Sequence, residues 1–313
     1  MTELEALKYL EDFAEDLFEK YSKLFFLAPV LIQNKYVIHA NIEIDQEEII
    51  TLPPIITKDE IRILDYKNIT NYTLKNIIEE EVFEKGVPYK ISSGNSFKFL
   101  NSDISTNNTI RNHYNERSGT LGLIFKLKKS NDYYFLSNQH VIGRTVPSYN
   151  DPIEKKITDK KFKKIGNYKY GEITHSVDYA YGKFLPNISI MPSAQNTIFI
   201  SLNTNRTATS HSLKIGSQII SIYASNAYIK LDDNYFFGNK GKVMKNQIIV
   251  KKTFVDGLSG SIALNSKGSS IVGLLFASEG NYSALNNINL VFEEIKKNNP
   301  LLTTNNIEII NHF

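Results

Sequence analysis

Three short segments carry side-chain types that could together do nucleophilic chemistry: Leu136-Ser-Asn-Gln-His140-Val, Val177-Asp178-Tyr-Ala and Gly257-Leu-Ser259-Gly-Ser261. A serine hydroxyl is a weak nucleophile at neutral pH. It needs a base within hydrogen-bond reach, and the base needs a partner that fixes its tautomer. His140 is the base that would take the proton of Ser259, and Asp178 the carboxylate that would accept from the far ring nitrogen of His140. Charge developing on an attacked carbonyl oxygen calls for preorganised donors, which the N–H groups of Gly257 and Ser259 can supply from a tight turn. Each residue also has a plain structural reading: His140 as a histidine closing a strand, Asp178 as a turn or capping carboxylate, Ser259 as a turn residue. Asp151 and Asp159 are loop alternatives to Asp178, while His175 and His211 read as surface or loop residues. Gly-Leu-Ser-Gly-Ser breaks the Gly-x-Ser-x-Gly elbow at its last position, and the chain has no His-Glu-x-x-His and no phosphate loop.

In the order His, Asp, Ser the three segments resemble the trypsin-like, chymotrypsin-fold serine peptidases. His140 ends the alternating run Tyr133-Tyr-Phe-Leu-Ser-Asn-Gln, similar to the strand that delivers the family histidine, and Gly119-Thr-Leu-Gly122-Leu-Ile-Phe resembles the first barrel strand. Val-Asp-Tyr-Ala is similar to the family's Asp-x-Ala segment. After Ser259 come an apolar strand, a turn at Asn265-Ser-Lys-Gly268 and Ile271-Val-Gly273-Leu-Leu-Phe-Ala277-Ser, which looks like the strand along which substrates lie extended. His140 and Asp178 are 38 positions apart and Asp178 and Ser259 are 81, the spacing of a compact member. The likeness covers about residues 116–298 and is strongest to a cysteine-poor group of bacteria and plants that includes the plant narrow-leaf peptidase.

The resemblance implies a mainly β fold of two six-stranded antiparallel barrels, His140 and Asp178 on the first, Ser259 on the second, and a cleft between them. It implies a serine endopeptidase that cleaves a protein or peptide substrate through an acyl-enzyme, with no cofactor and no metal. A catalytically idle, peptide-binding scaffold of the same fold is the alternative. Thr253 stands where the family places the base of the specificity pocket, with Phe276, Ala277 and Ser278 as its wall. A neutral floor argues against a Lys or Arg preference and favours a small or neutral side chain, although Glu279 lies near. Two departures stand out. Where the group carries Gly-Arg-Thr-Thr-Gly, this chain has His211-Ser-Leu-Lys-Ile-Gly216-Ser, and Leu258 replaces the Asp that in digestive enzymes pairs with a newly cut N-terminus. Activation by that route is not expected.

These residues need elements to hold them. From Gly119 onward short strands recur between turn signals at 129–132, 232–234, 238–241 and 265–268, the rhythm of antiparallel barrels. Leu285 to Lys297 has the apolar spacing of a closing helix. We therefore expect a peptidase domain over 106–300, a tail over 301–313 and a small α+β module over 1–105. In that module Thr2-Glu-Leu-Glu5 is a capping-box pattern, and Leu4, Leu7, Leu10, Phe13, Leu17, Tyr21 and Leu24 predict an amphipathic helix over 3–25 that ends before Pro29. Strands are expected near 36–44 and 60–64 around the Leu52-Pro-Pro turn, then a helix over 72–84, and the polar stretch 101–115 reads as a linker. The module would regulate access, through a regulatory partner, or recruit substrate.

At 313 residues, 42% of them apolar, the chain is long enough to bury roughly three quarters of its unfolded surface. Without a cysteine it has no disulfide and no thiolate metal site, which together with the lack of a basic-then-apolar leader and of an ~18-residue apolar run points to a reducing cytoplasm. A net charge of +3 gives no case for nucleic acid. The basic run Lys155 to Lys164 has Phe162 as its one aromatic and reads as a solvated loop rather than a nucleic-acid or membrane contact. Abundant Lys, Asn and Ile fit an AT-rich, bacterial genome, and likeness to bacterial trypsin-like proteins brings in cleavage of one partner protein in a stress or antiphage response.

Overall fold

A computed structural model describes residues 1–21, 24–32, 34–42, 61–64, 108–115, 117–130, 132–144, 148–158, 160–188, 190, 201–202, 212–231, 243–268, 270–279 and 281–310. The Leu52-Pro-Pro turn, the 72–84 helix, the turns at 232–234 and 238–241, Asp159 and His211 lie outside the described residues.

Chain order begins with α1 (Glu3–Lys20), β1 (Leu24–Ile32), β2 (Lys35–Ile42) and β3 (Ile61–Leu64). The capping box forms: Glu5 N–H donates to Thr2 Oγ1 at 3.3 Å and Thr2 N–H to Glu5 Oε2 at 2.7 Å. Two expectations are corrected here. The helix stops at Lys20, because the unbroken apolar run Leu24-Phe-Phe-Leu-Ala-Pro-Val-Leu-Ile forms a strand paired with β2 along its length. Pro29 is tolerated in it because pairing with β13 (Gln218–Lys230) is confined to Phe26 and Leu27. The buried stripe of α1 is Ala6, Tyr9, Leu10, Ala14, Leu17 and Phe18, while Leu4 is exposed. The two alanines let the helix approach β1 and β2 closely.

The first half of the site is carried by β4 (Thr109–Asn112), β5 (Ser118–Thr120), β6 (Leu123–Leu127), β7 (Tyr133–Ser137), α2 (Gln139–Ile142), β8 (Pro152–Thr158), β9 (Lys161–Ile173) and β10 (Asp178–Phe184). With β18 (Ile307–Ile310), the order β18-β6-β7-β10-β9-β8-β4-β5 is that of an open half-barrel, in which Leu121-Gly122 carries the chain from the edge strand β5 to β6. Ile110, Leu121, Ile124, Phe135, Val141 and Ile153 fill it. The basic run is a hairpin, not a loop: β8 and β9 pair from Pro152↔Asn167 to Thr158↔Lys161. β4 lies within the expected linker and pairs with both β5 and β8.

The second half comprises β11 (Ser201–Leu202), β12 (Ser212–Ile215), β13 (Gln218–Lys230), β14 (Val243–Val250), β15 (Ile262–Asn265), β16 (Ser270–Glu279) and β17 (Tyr282–Asn287), followed by α3 (Ile288–Asn298) and β18 (Ile307–Ile310). Strands β12-β15-β16-β17-β14-β13 close into a six-stranded barrel through the β12–β13 pairing. The fold is thus the mainly β double-barrel architecture of the chymotrypsin type, one barrel closed and the other half-open. The closing helix starts at Ile288, since 285–287 complete β17. β18 adds a strand to β6. Between the halves, Leu123, Leu136, Val177 and Tyr179 pack with Ile262, Leu274 and the α3 residues Ile288, Val291 and Phe292.

Residues 1–42 also join the closed barrel: β1 pairs with β13 at Phe26↔Ile229 and Leu27↔Tyr228, and Phe25, Phe26 and Ala28 share a core with Ala224, Ile229 and Phe276.

Candidate active site

His140 stands on α2, a four-residue helix that begins where β7 ends. A helix this short leaves most of its carbonyls without partners in the helix, and asparagine side chains supply them. Asn115 Nδ2 donates to His140 O at 3.3 Å and Gly143 O at 3.0 Å, and Asn112 Nδ2 to Ile142 O at 2.9 Å. Both asparagines belong to the stretch expected as a linker. Asp151 is tied to Arg144 at 2.6 and 3.0 Å and accepts from Asn112 at 3.3 Å, so it buttresses this corner and is not the partner of His140.

Asp178 opens β10 and is fully buried. Its Oδ2 lies 2.5 Å from His140 Nδ1, and its Oδ1 accepts from the Gln139 N–H at 2.7 Å. One carboxylate therefore holds the imidazole and the first turn of the helix that bears it. Gln139 is fixed in turn by Tyr168, whose hydroxyl donates to Gln139 Oε1 at 3.0 Å. Burial pushes the Tyr168 phenol up, keeping it a donor at any physiological pH.

Ser259 sits on the turn before β15, half-buried, and its hydroxyl donates to Phe276 O at 3.3 Å. The turn needs glycine: Gly257 has φ +90° and Gly260 φ +98°. Thr120 from the half-barrel holds this turn, donating its N–H to Ser259 O at 2.7 Å and its hydroxyl to Gly257 O at 2.8 Å. Gly119 lies between Val141, the residue after His140, and the Ser259 carbonyl, where a Cβ would collide with both. A Cβ on Gly122 would likewise overlap Gly260 O. The Gly-Thr-Leu-Gly segment is thus the seam that brings the helix of His140 and the loop of Ser259 together. Among the described residues the N–H groups of Gly257 and Ser259 donate to no protein acceptor, which leaves them available as a donor pair.

The expected pocket residues differ in burial. Phe276 is buried in the core shared with Phe25 and Phe26 and turns its backbone to Ser259. Thr253 is exposed, and the next residue, Phe254, is buried. Ala277 and Ser278 are half-buried. Ser278 Oγ accepts from Phe254 N–H at 3.4 Å and lies 2.7 Å from Ser283 Oγ, which donates to Lys252 O at 2.5 Å. These hydroxyls pin the 252–254 segment to the β16–β17 hairpin. Sequence reasoning missed Ser283, as it missed Asn112, Asn115 and Asn286; no local pattern marks them, since β17 reads Tyr-Ser-Ala-Leu-Asn-Asn, half polar along its length. His175 is exposed. Among the described residues no cluster of three or more His, Asp or Glu is placed to hold a metal ion.

No protein-family model matches the sequence, and no curated protein matches it. Solved structures do. Protease A of Thermobifida fusca is 12% identical, with 67% of this chain and 100% of that one covered and a TM-score of 0.43. The Nocardiopsis protease is 14% identical over 67% and 100%, TM-score 0.44. The chymotrypsin of Cellulomonas bogoriensis is 11% identical over 67% and 100%, TM-score 0.44.

Proposed function

We propose that the chain is a trypsin-like serine endopeptidase in which Ser259 attacks, His140 takes and returns the proton, Asp178 holds the imidazole, and the Gly257 and Ser259 N–H groups receive the oxyanion. The observation that carries this reading is the buried His140 Nδ1 to Asp178 Oδ2 contact at 2.5 Å beside a serine turn built on two glycines at positive φ. A buried carboxylate joined to Nδ1 fixes the tautomer in which Nε2 carries the lone pair a base needs. Substrate is a protein or peptide segment; no cofactor enters the mechanism. Likeness to the narrow-leaf group, a bacterial cytoplasmic setting, regulation through residues 1–105 and a partner cut in a stress or antiphage response belong to the same proposal. A peptide library tests it: wild-type protein cleaves, Ser259→Ala does not, and cleavage confined to Lys or Arg sites would contradict the neutral specificity.

A second reading, an idle peptide-binding scaffold, draws on the bond from the Ser259 hydroxyl to Phe276 O. Peptide binding by both wild type and Ser259→Ala with no cleavage by either would establish it.

A further inference from the structure

β7 pairs with β10 only as far as Ala180↔Ser137. Extending that register by two residues would place Gln139 opposite Asp178, but residue 139 has already entered α2, which carries His140. The strand must end there for the imidazole to reach the carboxylate. The consequence is that the backbone N–H and C=O of Asp178 lose their ladder partner in a fully buried position, where an unmet polar group is costly.

A side chain from the other barrel takes the place of the missing strand. Asn286 lies on β17, one position after Leu285, which faces the interior of the closed barrel. By the alternation of a strand, Asn286 faces outward, toward the half-barrel. It is completely buried. Its Oδ1 accepts from the Asp178 N–H at 3.0 Å, and its Nδ2 donates to Asp178 O at 2.9 Å and, more distantly, to Leu274 O at 3.5 Å. A carboxamide offers a donor and an acceptor side by side, as a peptide unit does. Asn138 Nδ2 adds a second donor to Asp178 O at 2.8 Å. Two neighbouring bonds cross the same seam: Lys245 N–H to His175 O at 2.6 Å and Gln247 Nε2 to Ser176 O at 2.8 Å.

From this geometry we propose that Asn286 is a positioning residue for Asp178: a side-chain substitute for a β-ladder pair, through which the closed barrel sets the carboxylate that orients His140. The proposal rests on the triad reading for its effect on chemistry, but its structural content stands apart from that reading. Two readouts separate them. The first is the rate of Ser259 modification by a fluorophosphonate in wild type, Asn286→Ala and Asn138→Ala. The second is the low-field proton NMR signal of the His140 Nδ1–H held by Asp178, which requires no chemistry at Ser259.

We expect Asn286→Ala to slow modification about 100-fold, the scale of a misplacement of the order of 1 Å, and to weaken or abolish the low-field signal at temperatures where circular dichroism shows it folded. Asn138→Ala, which removes one of two bonds to the same carbonyl, has the smaller effect in the same direction and carries the test should Asn286→Ala not fold. A normal rate and an intact signal in a folded Asn286→Ala overturn the proposal and leave the triad standing. A wild type that resists the reagent yet shows a low-field signal sensitive to Asn286 rejects the hydrolase reading and supports the clasp. Absence of the signal from the wild type overturns the clasp.

Discussion

Ser259→Ala removes one oxygen from a half-buried turn whose shape is set by Gly257, Gly260 and the two bonds from Thr120. The fold should survive it. Turnover should fall on the order of a millionfold, as for loss of any nucleophile that works as a unit with its base. Asp178→Asn keeps the volume and can still occupy the site, but its amide can hold His140 in the wrong tautomer, and a loss of about 10⁴ in kcat is expected. A peptidase assay on the two purified variants, with thermal melts to verify folding, checks both; near wild-type turnover in either contradicts the assigned roles. The seam glycines make a different prediction. Gly122→Ala sets a methyl group against Gly260 O, and Gly260→Ala sets one against Thr120 O at a backbone angle that disfavours a side chain. Each should cost about 1–3 kcal/mol or more in denaturant titration, and each should lower activity by shifting the serine turn.

Among the elements, α1 offers a pH-dependent test. Tyr9 is buried against β1 and β2, and among the described residues its hydroxyl has no hydrogen-bond partner. Burial pushes its pKa up to about 12. Because the folded value lies above that of an exposed tyrosine, ~10, the associated stability is whole below ~10 and is lost as pH rises toward 12. Tyr9→Phe removes an unbonded buried hydroxyl and should leave stability at neutral pH unchanged or higher by about 1 kcal/mol, while making melting less sensitive to alkali. A clear fall in Tm at pH 7 would show that the hydroxyl has a partner. The same helix shows where sequence is legible and where it is not. Its start could be read because a capping box is local, made by Thr2 and Glu5 alone. Its end and its buried face could not, because Tyr21 and Leu24 continue the helical spacing by chance, while Leu24–Ile32 is held as a strand by tertiary pairing, with β2 along its length and with the distant β13 at Phe26 and Leu27. Likewise His140, Asp178 and Ser259 stood out because each sits in a short segment of distinctive pattern. Asn112, Asn115 and Asn286 did not, because an asparagine that caps a helix or replaces a ladder pair is recognised by what it faces, not by its neighbours in sequence.

On the scale of the molecule, the N-terminal segment is part of the closed barrel's packing. Phe26 is fully buried, meets Tyr282 at 5.1 Å between ring centroids, and shares a core with Phe276, whose carbonyl receives the Ser259 hydroxyl. A chain begun at residue 106 would expose that core and the β13 edge. It should aggregate or melt without a cooperative transition; a monomeric 106–313 fragment with an unaltered melt would show the packing to be dispensable. The central claim is that two barrels, joined at the Gly-Thr-Leu-Gly seam, assemble an activated serine from His140, Asp178 and Ser259. Intact-mass and peptide mass spectrometry of the full chain after exposure to a fluorophosphonate tests this most directly. We predict one covalent adduct, on Ser259 in the wild type and absent from Ser259→Ala; an unmodified wild type, or an adduct that persists in Ser259→Ala, would contradict it.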